Sequence, residues 1–283
     1  MSSNDGFEIR QMRRQDLDLA VEWAAQEGWN PGLHDAESFF AADPHGFFMA
    51  FSNSEAIGSI SAVAYDLTFG FIGLFIVKPL FRGHRVGVEL GKRAFEYLGS
   101  RNIGVDGVEA KISNYETVGF KLAYNNIRYE GVCRPCNDGQ GLVEAASLDF
   151  GRLEEFDRQF FPTARAGFLA AWLRQPAAVA LASVQDDRIG GYGVIRPCRA
   201  GYKIGPLFAD EPATARQLLS GLTSRVPAGA AFYLDIPGVN EAAVELVGGW
   251  QMQPVFKTAR MYNKAFPELP MGRIFGVTSF ELG

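Results

Sequence analysis

Long hydrophobic runs are absent from the sequence, and none approaches the ~20 residues that a membrane-spanning helix needs. The opening residues, MSSNDGFEIR, contain no basic segment followed by an apolar one, so no secretory signal is expected. Basic residues are in deficit, because the net charge is −5, and this argues against a protein that grips nucleic acid. We therefore expect a cytoplasmic enzyme or binding protein without a membrane or nucleic-acid partner.

Cysteine and histidine are scarce as well, with three of each. Cys133 and Cys136 form a single C-x-x-C pair, which is half of a zinc site at most, since no second pair exists and the histidines lie far upstream. Reduced cysteines in a linker are the favoured interpretation. No metal and no disulfide is expected.

The order of the segments that are present predicts two related mixed α/β domains. The 283 residues suit two domains, and a hairpin, strand, helix, strand, short helix and strand follow one another twice. Residues 131–147, GVCRPCNDGQGLVEAAS, lose this periodicity and collect Gly, Pro, Asn and Asp. We predict one domain over 1–135, a linker over 136–147 and a second domain over 148–283.

Three local predictions bear on the site. An apolar stripe predicts a helix over Val86–Leu98 after the buried strand GFIGLFIV. Residues 29–46, rich in turn formers and aromatics, are predicted to be irregular. The segment FKLAYNNIRYEG is predicted to form a pair of strands.

The stretch LFIVKPLFRGHRVGVEL, residues 74–90, turns from the buried strand into this helix. The start of a helix leaves backbone N–H groups unused, and with the helix dipole these attract anions. Gly83 and Gly87 let a ligand approach the backbone, and Arg82 and Arg85 suit phosphate oxygens. The turn predicts a pyrophosphate site. The alternative is that Gly83, Gly87 and Gly91 only allow tight helix packing.

These residues resemble the acyl-CoA-binding motif of the GNAT family of N-acetyltransferases, [QR]-x-x-G-x-[GA]. Arg82 and Gly87 match its ends, while Arg85 replaces its middle glycine and would preserve the site if its φ is negative. Downstream, NYETVGF resembles the family's Tyr-x-x-x-Gly-Phe segment. Nearly the whole chain resembles a bacterial group of tandem GNAT proteins with a degenerate second domain. The resemblance implies two domains, each with a mixed, mostly antiparallel twisted sheet flanked by helices.

The resemblance implies direct transfer of an acetyl group from acetyl-CoA to a primary amine of a small molecule or peptide. A backbone N–H near Ile76 or Val77 would stabilise the oxyanion of the thioester. The residues implied to contact acetyl-CoA are Ile76, Val77, Arg82, Gly83, His84, Arg85, Val86, Gly87, Val88 and Asn114.

Tyr115 stands at the family's position for the acid that protonates the departing thiolate, although it would also serve to pack the short helix. The usual glutamate is missing from FGFIGLFIVKP. Asp66 is the nearest candidate base, and capping its own turn is the alternative. Weaker candidates are Asp235 and the terminal Glu281 and Gly283 carboxylates, since they require the second domain to face the first.

The acceptor contacts are predicted from position in the chain. The loop EGWNPGLHD lies where the family usually grips its substrate, and anchoring of that loop is the alternative for its tryptophan. Packing is likewise the alternative for the candidates near the C-terminus. The predicted acceptor residues are Trp29, Asn30, Asp35, Tyr65, Arg260 and Tyr262.

The second domain is predicted to bind no CoA and to support the acceptor pocket. At its counterpart of the phosphate turn, LFADEPATARQ, Asp210 and Glu211 would repel a pyrophosphate. A non-catalytic CoA-binding sensor is the alternative function for the whole chain, and a structural protein without cofactor is a third.

Overall fold

Thirteen strands form one continuous mixed sheet in the computed structural model, which describes residues 6–134 and 141–283. The predicted mixed α/β architecture is confirmed. Cys136 and part of the predicted linker lie outside the described residues. In the first half of the chain the elements are β1 Glu8–Gln11, α1 Arg14–Gln26, α2 Asp35–Ala42, β2 Phe47–Ser52, β3 Glu55–Ala64, β4 Phe69–Val77, α3 Val86–Leu98, β5 Asn102–Val108, α4 Ile112–Thr117 and β6 Lys121–Val132.

The second half repeats this order with a different ending. Its elements are β7 Leu142–Glu144, α5 Phe150–Asp157, α6 Ala166–Trp172, β8 Val179–Gln185, β9 Arg188–Pro197, β10 Tyr202–Ala209, α7 Pro212–Thr223, β11 Ala231–Pro237, α8 Glu241–Gly249, β12 Gln253–Tyr262 and β13 Ile274–Gly276.

Two local predictions are wrong. The stretch predicted to be irregular contains α2, which buries Phe39 in a stack on Trp172 of α6 with 6.2 Å between ring centroids. This tertiary contact stabilises a helix too short and too poorly capped to be recognised alone. The predicted strand pair is the single strand β6, because no turn forms at its two asparagines. Asn126 lies within the strand and donates from Nδ2 to Asp106 at 2.9 Å.

The halves exchange one strand each at the centre of the sheet. The strand order is β1-β2-β3-β4-β5-β12-β6-β11-β10-β9-β8-β7, with β13 on β10. Thus β12 of the second half lies between β5 and β6, and β6 of the first half lies between β12 and β11. Both exchanged strands run antiparallel to their neighbours, so the sheet continues across the molecule.

A shared core joins the two halves on one face of this sheet. The largest cluster of buried apolar side chains combines α1, α2, α5 and α6 with strands of both halves. The opposite face carries two separate clusters, one beneath α3 and one beneath α7 and α8. The final segment, residues 274–283, is buried throughout. Its side chains Ile274, Val277, Phe280 and Leu282 lie in the shared core, whereas Phe275 packs in the cluster beneath α7 and α8.

Candidate active site

A wedge-shaped opening separates the C-terminal ends of β4 and β5. The two strands pair in parallel over Phe69–Ile72 and Asn102–Val105, and no described strand pairs with β4 on this edge beyond Ile72. The register with β3 shifts next, where Leu74 adopts a left-handed φ of 44°. The resulting β-bulge bends β4 away from β5.

A backbone N–H at the end of β4 faces this opening. The Lys78 amide donates to the Ile57 carbonyl of β3 at 2.9 Å, so the alternation of an antiparallel pair also directs the Ile76 amide to β3. Val77, between them, therefore presents its amide and carbonyl to the opening. Its carbonyl accepts a hydrogen bond from Arg82 Nε at 2.8 Å, while its N–H is directed at the space between the strands.

The turn before α3 has the backbone of an anion site. Gly83 has a φ of 85° and Arg85 a φ of 61°, with His84 between them outside the left-handed region. Such alternation can turn backbone N–H groups toward one concave side. The His84 amide donates to the Phe81 carbonyl at 3.4 Å and the Val86 amide to the His84 carbonyl at 2.8 Å, so the next first-turn amides of α3 are the ones offered to an anion. The condition stated for Arg85, a negative φ, is therefore not met. A glycine adopts this conformation freely, and arginine does so at a cost of roughly 1–2 kcal/mol.

The glycines of this turn do not serve tight packing. A Cβ added to Gly83 or Gly91 would meet no atom within 4 Å. One added to Gly87 would make ordinary contacts of 3.7 Å with the side chains of Phe75 and Val77. The packing alternative is therefore unsupported, and the space above the turn is available to a ligand.

Basic side chains surround the turn and form ion pairs with acidic side chains near the surface. Arg82 pairs with Glu27 at the end of α1 at 2.5 Å, and Arg85 pairs with Glu89 one helical turn on at 3.0 Å. The His84 ring lies 3.1 Å from the Arg82 carbonyl. Exposed ion pairs contribute little, about 0–1 kcal/mol, so phosphate oxygens can compete for these cations.

Tyr115 lies on the α3 face of the sheet, beside the end of β5. Its ring covers Gly107, where an added Cβ would lie 2.8 Å from the ring, and it contacts Phe120 edge-on at 5.8 Å. Burial raises the pKa of its hydroxyl to about 12, so the group is protonated at neutral pH. Asn114, the preceding residue, is exposed. Packing and proton donation are both compatible with this placement.

Asp66 lies at the other end of β4 from the opening. The strand from Phe69 to Ile76 spans on the order of 23 Å. Burial opposes ionisation of Asp66, but hydrogen bonds from Thr163 and Thr68 outweigh it and lower the pKa to about 2. The carboxylate caps its own turn, and the structure does not bring it to the opening.

The predicted acceptor residues divide between the surface of the shared core and its interior. Asn30 exchanges two hydrogen bonds with the Ala200 backbone at 2.9 and 3.2 Å, which ties the loop after α1 to the second half. Trp29 is half-buried against the core. The Tyr65 hydroxyl donates to the Leu282 carbonyl at 2.9 Å and therefore anchors the C-terminal segment.

Three of the predicted acceptor residues are buried. Asp35 is completely enclosed and receives Arg196 Nε at 2.7 Å and Nη2 at 3.1 Å. Arg260 forms two hydrogen bonds to Asp106 at 2.8 and 2.7 Å, and Tyr262 lies in an aromatic cluster. Their contact with a substrate stays a prediction that this burial does not favour.

Charged side chains are buried between the two halves, and most of them were not predicted from the sequence. Arg128 of β6 forms two hydrogen bonds to Asp235 of β11, at 2.6 and 2.7 Å. Arg128 and Lys203 both donate to the Trp29 carbonyl, at 2.6 and 3.3 Å. Only Asp235 was a candidate beforehand, because single charges within apolar strands resemble the exposed side of a sheet.

Because Lys203 is buried, we predict that the free energy of unfolding rises in alkaline solution. Burial, followed by the field of Arg128, lowers its pKa from 10.5 to about 8. Between these pH values the unfolded chain holds a proton that the folded chain has released, so the free energy of unfolding increases with pH, by roughly 3 kcal/mol. Urea unfolding at pH 8 and 10 captures about 2 kcal/mol of this increment, because the interval begins at the folded pKa and ends below 10.5. The increment should disappear in Lys203→Met and persist in Lys111→Met, an exposed control, and an equal slope in all three proteins would contradict the assignment.

The second half closes the counterpart of the opening. β10 and β11 pair in parallel over Tyr202–Ile204 and then diverge, as β4 and β5 do. Here β13 pairs with β10 at Leu207 and Phe208 and fills the space. Helix α7 begins with Pro212, which has no N–H to offer an anion.

Neither a metal cluster nor a membrane-spanning helix occurs in the described residues. Among residues 6–134 and 141–283, no three His, Cys, Asp or Glu side chains are grouped so as to hold a metal ion. Within the same residues, no helix has the length and apolar character to cross a membrane.

Comparison with known proteins places both halves in one family. The profile described as Acetyltransferase (GNAT) family matches residues 10–120, and the Acetyltransferase (GNAT) domain profile matches residues 153–276. The holothin acyltransferase of Pseudoalteromonas sp. (strain SANK 73390) is 28% identical over 270 residues, which cover 95% of this chain and 92% of that protein.

Solved structures share the fold over the whole chain. A candidate acetyltransferase from Pyrococcus horikoshii has a TM-score of 0.85 at 24% identity, covering 100% of this chain and 98% of its own. A tandem GNAT protein from the clavulanic acid biosynthesis pathway has a TM-score of 0.64 at 11% identity, covering 93% and 99%. The chain therefore belongs to the GNAT family, contains two GNAT domains and is an acyltransferase.

Proposed function

We propose that the chain transfers an acetyl group from acetyl-CoA directly to a primary amine, using its first half alone for the donor. The observation that carries this proposal is the contrast between two equivalent places. The opening between β4 and β5 leads from the turn at residues 82–87 to the Val77 amide, whereas β13 fills the opening between β10 and β11. The domain limits 1–135 and 148–283, with the linker between them, are part of the same proposal.

Each reactive group of the donor has a partner in this arrangement. The pyrophosphate binds backbone amides at the start of α3, Arg82 and Arg85 neutralise its charge, and the His84 ring lies beside it as a further polar contact. The thioester oxygen accepts the Val77 N–H as it gains negative charge. We assign the amide role to Val77 and not to Ile76, whose N–H is directed at β3.

The leaving thiolate takes a proton from Tyr115. The hydroxyl of Tyr115 is neutral at pH 7 because burial raises its pKa to about 12, so the proton is present when the thiolate forms. The exposure of Val88 and Asn114 supports their predicted contact with the donor, whereas the Val86 side chain is buried beneath α3 and would contribute only its backbone.

A small-molecule amine is the favoured acceptor, with a peptide amine as the alternative. The relative named holothin acyltransferase matches almost the whole chain, which makes holothin the first compound to test. We propose that Trp29 and Asn30 border the acceptor site, and that Asp35 and Tyr262 support it from within the core. A cytoplasmic location agrees with the composition.

A CoA-binding sensor without catalysis is the second candidate. The missing carboxylate on β4 favours it, because an ammonium group must lose a proton before it attacks. Turnover of any amine with acetyl-CoA decides between the two.

Replacing glycine with glutamate at either of two positions one helical turn apart in α3 tests the donor site. Gly87→Glu places a negative charge where the pyrophosphate would bind, and a Glu in the first helical turn is favourable to the fold. We expect calorimetric titration to show one acetyl-CoA site per chain, with Kd raised at least about tenfold in Gly87→Glu. Gly91→Glu, one turn further along α3, is the matched control and should bind as the wild type does.

The outcomes separate the parts of the proposal. Equal effects of the two substitutions would remove the turn from the phosphate site. Two sites per chain would show that the second half also binds the donor. Absence of binding to the wild type would overturn the acetyl-CoA assignment itself.

A further inference from the structure

The C-terminal segment carries a carboxylate that the protein itself leaves unsatisfied. Glu281 is 3% exposed, and within the described part of the chain neither of its carboxylate oxygens has a hydrogen-bond partner. Burying an ionised group in this way costs several kcal/mol, and native structures retain such groups mainly where a ligand, a water or a reaction uses them.

The backbone places Glu281 against the strand that borders the donor opening. A Cβ built on Gly73 of β4 would lie 1.9 Å from the Glu281 carbonyl oxygen, so only glycine lets the segment cross here. Gly73 directly precedes the bulged Leu74 and follows Ile72, the last residue of β4 that pairs with β5. Glu281 therefore lies where β4 and β5 begin to separate, on the face that carries α1 and the loop after it.

The crossing is fixed from both sides. The Tyr65 hydroxyl donates to the Leu282 carbonyl, and the Leu282 amide donates to Ser279 Oγ at 3.1 Å. The Arg128 guanidinium lies over the Phe280 ring, 4.9 Å from the ring centroid. The carboxylate is thus presented by an ordered segment and not by a free terminus.

The charges nearest to Glu281 do not bind it directly. Arg128 and Lys203 lie within electrostatic reach of the carboxylate. Arg128 gives two hydrogen bonds to Asp235, and Lys203 donates to the Trp29 carbonyl. Among residues 6–134 and 141–283 no donor reaches either carboxylate oxygen, so both are available to a ligand.

We propose that Glu281, supplied by the second half of the chain, is the general base that deprotonates the acceptor amine in the first half's site. This rests on the proposed function. One proton of the ammonium passes to Glu281, directly or through one water, and the free amine forms the C–N bond to the thioester carbon. When the C–S bond breaks, Tyr115 protonates the thiolate and regains its proton from solvent. The second nitrogen proton and the one on Glu281 return to solvent, so one proton is released per turnover.

The assignment explains two features together. It supplies the carboxylate that β4 lacks, and it gives the second half a chemical role although its own opening is closed by β13. It also predicts a selective defect, because only an acceptor that is protonated at the working pH needs the base.

The test compares two kinds of amine at pH 7.5 with acetyl-CoA as donor. The first is the best acceptor from a panel of primary alkylamines that includes holothin, and the second is methoxyamine, which is unprotonated at this pH. We expect Glu281→Gln to lower kcat/KM for the alkylamine at least about 100-fold. The loss for methoxyamine should stay below about threefold, and the Kd of acetyl-CoA should be unchanged.

Glu281→Asp keeps a carboxylate and should recover part of the alkylamine rate, which also covers the case that the Gln variant does not fold. Asp66→Asn tests the competing carboxylate. The inference is overturned if both amines lose rate equally, if neither does, or if the selective loss belongs to Asp66→Asn. A wild type that binds acetyl-CoA but acetylates no amine would refute the proposed function and this inference together, whereas normal turnover by Glu281→Gln would refute only the latter.

Discussion

Replacing Tyr115 with phenylalanine is expected to lower kcat for acetyl transfer by ~10²–10⁴-fold while acetyl-CoA binds with an unchanged Kd. The substitution removes only the hydroxyl, so the ring still covers Gly107 and contacts Phe120. The lost rate reflects a thiolate that must leave without a proton, which corresponds to at least about 2.7 kcal/mol of activation free energy. Steady-state kinetics together with calorimetry of donor binding measure the two quantities separately.

The pH dependence of kcat provides a second readout of the same residue. Because burial raises the pKa of Tyr115 to about 12, its ionisation should not depress kcat below pH 10. Tyr129→Phe, on β6, is the matched control and should retain full activity. Unchanged turnover by Tyr115→Phe would show that Tyr115 does not donate the proton and serves only in packing.

Replacing Asp35 with asparagine is expected to lower the free energy of unfolding by about 3–5 kcal/mol. Arg196, its partner, is fully buried and lies 4.2 Å over the Trp172 ring, so its charge would have no compensation in the core. Burial opposes ionisation of Asp35, but Arg196 outweighs it and holds the carboxyl pKa below its usual value. The stabilisation is therefore present above pH ~4 and is lost as pH falls through the lowered pKa.

Urea unfolding followed by circular dichroism measures this loss. Asp18→Asn is the control, because Asp18 is 63% exposed and pairs with Arg14 on the surface, where removal should cost less than about 1 kcal/mol. Replacing both Asp35 and Arg196 with apolar residues should recover much of the stability. Equal free energies of unfolding for Asp35→Asn and the wild type would show that the Asp35–Arg196 ion pair does not stabilise the fold and serves only in assembling the contact between the two halves.

Local elements were predictable because their signals are local. The helix Val86–Leu98 has the predicted bounds, since its apolar stripe and the turn before it are both written within a few residues. Helix α2 was not predicted from the sequence because its stability comes from a contact with Trp172, more than a hundred residues away. β6 was divided in two because Asn125 and Asn126 resemble a turn, and only their pairing with β12 and β11 keeps them extended.

The site was predictable in its backbone and much less in its side chains. The turn at residues 82–87 follows from glycine, arginine and a helix start, although the left-handed Arg85 does not. Glu281 could be named only as a carboxylate that needed the two halves to face each other. The strand exchange and the crossing at Gly73 bring them together, and neither leaves a pattern in the sequence near Glu281.

The exchanged strands also determine when during synthesis this enzyme becomes complete. Until Gln253–Tyr262 has left the ribosome, β5 and β6 each have an unpaired edge, because β12 lies between them. A nascent first half therefore exposes the sheet edges that invite aggregation, and its closing contacts span well over a hundred residues. Catalytic competence should consequently appear only near the end of translation, and a prematurely terminated chain would release an unfinished sheet instead of a small active acetyltransferase.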